Sequence, residues 1–280
     1  MTASVIPFDR LPPGFAESID NPPADPVHPR PAATVVLLRD GDDGPEVLLL
    51  RRVRSSGFVP GAYVFPGGRV DADDSSAALL ARWHGPDPAT VAERMGLDAD
   101  ASPPAMAYVL ASLREAFEET GLLLARDADG VSVASAANDE VMAAAQGRLL
   151  TDDDLFAPVL EQLDATLRGD AVAYIAHWIT PVVEPRRYDT RFFAAAVEGD
   201  SEVAINPAEM TDAVWLTPER ALERHREGTL PMVFPTVHTI EGLAGFDSAA
   251  GIIAEYRRRD VPPILPRLVR TELGVGLEID

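Results

Sequence analysis

Leu110-Ala111-Ser112-Leu113-Arg114-Glu115-Ala116-Phe117-Glu118-Glu119-Thr120-Gly121 is the stretch on which the reading of this 280-residue chain turns. Wound as a helix at about 100° per residue, it sorts its side chains sharply. Glu115, Glu118 and Glu119 fall within an arc of roughly 100°, and Leu110, Leu113 and Phe117 gather on the opposite face. Carboxylates that close repel one another, and a hard divalent cation such as Mg²⁺ or Mn²⁺ would relieve the repulsion, since such ions prefer oxygen ligands. Arg114 stands beside the cluster and could orient a carboxylate by a bidentate pair. Gly121 supplies a left-handed C-cap. A solvated acidic face is the competing reading, and the three glutamates alone do not separate the two.

The neighbouring residues do. Phe65-Pro66-Gly67-Gly68-Arg69-Val70-Asp71 reads as the end of a strand running into a glycine loop. Together with Arg114 to Leu122 it resembles the signature of the Nudix hydrolases, G-x5-E-x7-R-E-U-x-E-E-x-G-U, where U is bulky and apolar. The second half matches at Arg114, Glu115, Glu118, Glu119, Gly121 and Leu122, with Ala116 a small apolar fit. There are two departures. Asp74 stands where the family has its first Glu, and Arg82 is followed by Trp83 rather than Glu. The Arg-Glu pair recurs at 114, so the box is interrupted by about thirty residues.

Composition narrows the chemistry by exclusion. With 46% hydrophobic residues the chain can build a substantial core. No window is apolar enough to span a bilayer, and the N-terminus lacks a charged-then-apolar leader pattern. No cysteine means no disulfide, thiol nucleophile or cysteine–zinc site, and a cytoplasmic location is the simplest expectation. All 24 basic residues are arginine, which removes Schiff-base and P-loop lysine chemistry. A net charge of −21 argues against binding nucleic acid or anionic membranes. An anionic substrate would therefore need a metal and local arginines.

The chain opens with a proline-rich arm, 1–31, expected to run as a tail or strap, followed by one elaborated domain over 32–280. Ala32–Leu38 and Glu46–Arg51 read as a hairpin around Asp40-Gly41-Asp42-Asp43-Gly44. Arg51, Arg52 and Arg54 are either surface charges or phosphate contacts. An insert at about 75–107 is expected to hold two short helices, the first through Trp83 and the second over Val91–Gly96, and the central helix to start near Pro103. Two helices are expected between Ala134 and Leu167, with Asp152-Asp153-Asp154 as a helix first turn rather than a metal cluster. Ala173–Val183, Arg191–Val197 and Glu209–Leu216 read as strands, Thr217-Pro218 as a helix start, and Ile240–Arg259 as further helix before an extended tail. The loop Glu184 to Asp189 carries Arg187 and Tyr188, which could hold a phosphate and stack on a base, or simply turn a hairpin. His84 reads as a surface residue, and His177, His225 and His238, scattered without ligand spacing, as structural.

Within the Nudix hydrolases, the interrupted box, the run Val59 to Asp71, His177-Trp178-Ile179-Thr180-Pro181 and Arg186 to Phe193 are similar to the peroxisomal coenzyme A diphosphatase-like branch. The C-terminal Leu277-Glu278-Ile279-Asp280 is not a peroxisomal address of the Ser-Lys-Leu kind. That resemblance implies an α/β fold, a Nudix-type α/β/α sandwich around a mixed sheet, with a helical insert and extra C-terminal helices. It implies metal-dependent hydrolysis of a pyrophosphate bond in a nucleoside diphosphate derivative, with coenzyme A or an acyl-coenzyme A as the leading substrate. ADP-ribose, NADH, dinucleoside polyphosphates and a non-catalytic sensor are the alternatives. Arg114, Glu115, Glu118 and Glu119 are the implied catalytic residues, and Gly67 with the three glutamates the implied ligands of Mg²⁺ or Mn²⁺. A glutamate of the cluster, or one from another loop, would take the proton of the attacking water. Arg51, Arg52, Arg69, Arg187 and Tyr188 are the candidate substrate contacts. The arm and the insert are surfaces on which a homodimer could form.

Overall fold

The computed structural model describes residues 6–7, 15–54, 59–133, 139–151, 156–198 and 202–279. Its strands are β1 (Ile6–Pro7), β2 (Arg30–Gly41), β3 (Gly44–Arg52), β4 (Tyr63–Val64), β5 (Gly67–Arg69), β6 (Trp83–His84) and β7 (Ala125–Arg126). They continue with β8 (Thr166–Arg168), β9 (Val172–Ile179), β10 (Tyr188–Ala196), β11 (Met210–Leu216), β12 (Pro263–Ile264), β13 (Arg267–Arg270) and β14 (Gly274–Glu278). The helices are α1 (Phe15–Asp20), α2 (Ala77–Leu80), α3 (Pro88–Met95), α4 (Ala105–Thr120) and α5 (Glu140–Leu149). After them come α6 (Phe156–Gln162), α7 (Pro218–Arg226), α8 (Phe234–Leu243) and α9 (Ala249–Tyr256).

An eight-stranded mixed sheet in the order β11-β3-β2-β10-β9-β12, with β4 on β3 and β5 on β2, forms the middle layer. Its strands are apolar on both faces, because side chains alternate along a strand and both sides are covered. Ala33, Val35, Leu37, Leu48 and Leu50 face one core with α4, α5 and α6. Val36, Leu38, Val47 and Leu49 face the other, with α7, α8 and α9. The result is an α/β/α sandwich whose central helix, α4, lies against β2.

The insert folds back on this frame. Asp87 caps α3 by accepting from Ala89 N and Thr90 N at 3.0 Å each, and Gly96 closes it in the left-handed region at φ 61°. The buried Arg191 of β10 donates to Met95 O at 2.8 Å, which ties the end of α3 to the sheet.

Several boundaries differ from the sequence reading. β2 begins at Arg30, not 32, because β10 runs parallel beside it from Tyr188 opposite Arg30. Tyr188 and Asp189 are thereby strand residues rather than loop. The first insert helix ends at Leu80, since Trp83-His84 pairs with β8. The C-terminal segment is a β13–β14 hairpin that takes up Ile6-Pro7 as a third strand. The Asp152-Asp153-Asp154 expectation falls outside the described residues. Among the described residues no helix is long and apolar enough to cross a membrane.

Candidate active site

The C-terminal half of α4 is fixed from both ends. Gly121 adopts φ 68°, and its N–H donates to Phe117 O at 2.8 Å, closing the last turn. The remaining carbonyls of that turn need outside donors. Gln146 Nε2 reaches Glu118 O at 3.0 Å, Asn206 N reaches Glu119 O at 3.3 Å and Ala204 N reaches Thr120 O at 2.8 Å. The segment leading into β11 is thus pinned to the helix end, and it carries Glu209.

Arg114 is buried and organises the charges around it. Its Nε and one terminal nitrogen grip Asp74 at 2.9 and 3.1 Å, a bidentate pair formed across the whole insert. The other terminal nitrogen donates to Glu115 Oε1 and Glu118 Oε1 at 3.1 Å each. A further contact reaches Arg69 O at 3.1 Å. Burial alone would discharge the guanidinium, but pairing with Asp74 and Glu115 outweighs it and holds the arginine charged. Asp74, one methylene shorter than the family's Glu, therefore completes the interrupted box. Arg82 does not take part; it pairs with Asp164 at 3.3 Å.

Two glutamates stand against the glycine loop. Gly67 N donates to Glu119 Oε2 at 3.2 Å. A Cβ on Gly67 would lie 2.5 Å from Ala33 O, so that position needs glycine, and one on Gly68 would lie 2.2 Å from Glu115 Oε1 and displace that carboxylate. Burial pushes the Glu115 carboxyl up to about 7, against the pull of Arg114 and with Asp74 and Glu209 adding repulsion. Burial also raises Glu119 well above the carboxylate range, followed by repulsion from Glu115 and Glu209, with Arg52 opposing. Glu209, more than eighty residues downstream, is the member of this group that sequence reading missed. No local motif marks it, because only the pinning of its segment to α4 brings it there.

Among the described residues no group of three or more acidic or histidine side chains converges on one ion position. Glu118 and Glu115 meet at the same terminal nitrogen of Arg114, each at 3.1 Å. The donor chemistry nonetheless fits a hard cation: Glu115, Glu119 and Glu209 repel one another, and an ion between them would lower the cost of ionising all three.

The candidate substrate residues divide. Neighbours on a strand point to opposite faces, and so Arg52 lies on the carboxylate side, while Arg51 points the other way. Arg51 sits over the Tyr63 ring at 5.7 Å, on the opposite side of the strand from Arg52. Arg69 is exposed at the end of the glycine loop. Arg187 is buried, and its guanidinium donates to Thr180 O at 3.0 Å and Val27 O at 2.8 Å, fastening the arm to the β9–β10 turn. Two of the Arg187 nitrogens thus tie backbone segments together, and Tyr188 beside it opens β10. The histidines are spread as the sequence spacing implied: His177 pairs with Asp189 at 2.6 Å, and His225 with Leu230 O at 3.1 Å.

Known proteins converge on the same frame. The family described as the NUDT19 Nudix domain matches residues 30–243. The acyl-coenzyme A diphosphatase NUDT19 of Homo sapiens is 30% identical over 244 residues, 75% of this chain and 63% of that protein. Its Xenopus laevis counterpart is 27% identical over 228 residues, 72% of this chain and 60% of that protein. The chain thus spans between 60% and 63% of the length of these curated relatives. A NUDIX hydrolase from Alicyclobacillus acidocaldarius superposes with a TM-score of 0.66 at 28% identity, over 81% of this chain and 96% of that one.

Proposed function

This chain belongs to the NUDT19 Nudix domain family, and from that premise we propose that it hydrolyses the pyrophosphate bond of coenzyme A or an acyl-coenzyme A. The observation that carries the reading is the Asp74–Arg114 pair, which closes the interrupted box and sets Glu115 and Glu119 over Gly67-Gly68. The relatives, acyl-coenzyme A diphosphatases, supply the substrate class.

In this reading Glu115, Glu118 and Glu119, with Glu209 and the Gly67 backbone beside them, would hold Mg²⁺ or Mn²⁺, and Arg114 braces Glu115 and Glu118. When bound, the ion neutralises phosphoryl oxygens and acidifies the attacking water. Arg114 fixes the register of the carboxylates, and Arg52 and Arg69 meet outer phosphates. A glutamate of the group accepts the proton of the water, with Glu115, Glu118 and Glu209 as the candidates. Water adds to one phosphorus, the bridging P–O bond breaks, and the products are a 3′,5′-adenosine bisphosphate and phosphopantetheine or its acyl form.

The test is hydrolysis with Mg²⁺ or Mn²⁺ across coenzyme A, acetyl-coenzyme A, ADP-ribose, NADH and diadenosine polyphosphates, with products identified by mass. Cleavage of coenzyme A to 3′,5′-adenosine bisphosphate and phosphopantetheine is the expected result. Cleavage of another panel member alone would keep the chemistry and replace the substrate. Silence across the panel with metal still bound would favour a sensor.

A further inference from the structure

Away from the glutamates, the insert and the C-terminal helices enclose a half-open cavity of about 250 Å³. Its walls are apolar: Trp83, Val91 and Met95 from the insert, Val109 from α4, and Tyr174 and Phe193 from the sheet. Protein interiors are close-packed, and a void of this size lined by such side chains costs stability unless something apolar fills it. We infer that this cavity takes the acyl chain of the substrate, so that the insert which interrupts the box builds the acyl-binding wall. The inference rests on the coenzyme A reading given above.

Three features make the cavity a built site. First, its two charged residues are engaged by backbone carbonyls. Arg94 donates to Tyr256 O at 3.0 Å and Arg259 O at 2.7 Å, and Arg257 donates to Gly169 O at 2.9 Å and Asp170 O at 2.7 Å. These arginines staple the walls together and leave the interior apolar. Second, the Trp83 ring is wedged in place. A Cβ on Gly169 would come within 2.3 Å of it and one on Gly85 within 2.8 Å, while its Nε1 donates to Pro86 O at 2.8 Å. Third, the cavity and the glutamates share a helix. Val109 precedes Glu115 on α4 by about 9 Å of axis at 1.5 Å per residue. In an acyl-coenzyme A the long pantetheine arm separates the thioester from the pyrophosphate, so an acyl site has to stand apart from the glutamates in this way.

The experiment compares kcat/KM for free coenzyme A with that for acetyl-, hexanoyl-, decanoyl- and palmitoyl-coenzyme A, in the wild type, Val91→Phe and Val91→Ala. Free coenzyme A serves as the internal reference. Each buried methylene adds about three- to fourfold at most, so kcat/KM should climb with chain length and level off once the cavity is full. Val91→Phe should flatten the climb, and Val91→Ala should move the plateau to longer chains, which keeps the test informative if the larger side chain disturbs folding. In parallel, decanoyl-pantetheine, which lacks the nucleotide and the pyrophosphate, is titrated against tryptophan emission in the same three proteins. Saturable binding that Val91→Phe weakens supports the site. A flat chain-length profile, or no binding of decanoyl-pantetheine, overturns it. Absent hydrolysis with binding retained would overturn the diphosphatase reading and leave the cavity standing.

Discussion

From Ala105 to Leu113, α4 is buried by apolar neighbours; from Arg114 to Thr120 the same helix is buried at every residue but the partly exposed Glu115, while carrying a guanidinium and three carboxylates. The first half needs no particular partner, because apolar burial is non-directional and scales with area. The second half needs named partners at hydrogen-bond distance, because a charge out of water is costly unless it is paired. One helix therefore contains a region organised for stability and a region whose charges oppose stability. The difference teaches where to look for chemistry: sites gather where burial and charge coincide without an energetic benefit to the fold.

The largest expected effect breaks the charged half outright. Glu119→Gln removes a proposed cation ligand, and turnover should fall by orders of magnitude with the far-UV spectrum unchanged. Near-normal activity in that variant would sink the metal assignment. Next, Arg114→Leu leaves Asp74 and Glu118 buried without their cation, which should cost about 3–5 kcal/mol in denaturant unfolding. Adding Asp74→Asn should recover part of that loss, whereas adding it to Leu110→Ala, in the apolar half, should recover none.

A pH series sharpens the contrast further. The Glu115 carboxyl moves from its ordinary 4.5 up to about 7 in the folded chain. Between those values the folded state keeps a proton that the unfolded state has released, so stability falls as pH rises through that window, by on the order of 3 kcal/mol. Below 4.5 the penalty is absent, because both states are protonated. Glu115→Gln should flatten the dependence, and Mg²⁺ should raise the melting temperature more at pH 8 than at pH 5. Equal metal stabilisation at both pH values would argue against carboxylate ligation. The smallest effect lies in the insert: Asp87→Ala removes the α3 cap and should cost about 1 kcal/mol, with little change in free coenzyme A turnover.

Much of the charged half was legible in the chain. Helical spacing put Glu115, Glu118 and Glu119 on one arc, and Gly121 marked the stop. The Asp at six residues past Gly68 looked like a departure from the signature; in three dimensions it is the partner Arg114 requires. Arg51 and Arg52 looked equivalent, and the strand pleat sends them to opposite faces. The C-terminal hairpin escaped notice because the prolines just before it and its short strands give weak local signals, and its pairing with Ile6-Pro7 spans nearly the whole chain.

By itself the sequence determined the local elements: the α4 helix, its cap, the alternating strands and the glycine loop. Each depends on dihedral preferences and periodicities that act over a few residues. Only the tertiary structure decided which charges meet: Asp74 with Arg114 across the insert, Glu209 with Glu115 and Glu119, and the insert with α9 around an apolar cavity. Those pairings depend on loop closure and on sheet order, which no short window of residues specifies.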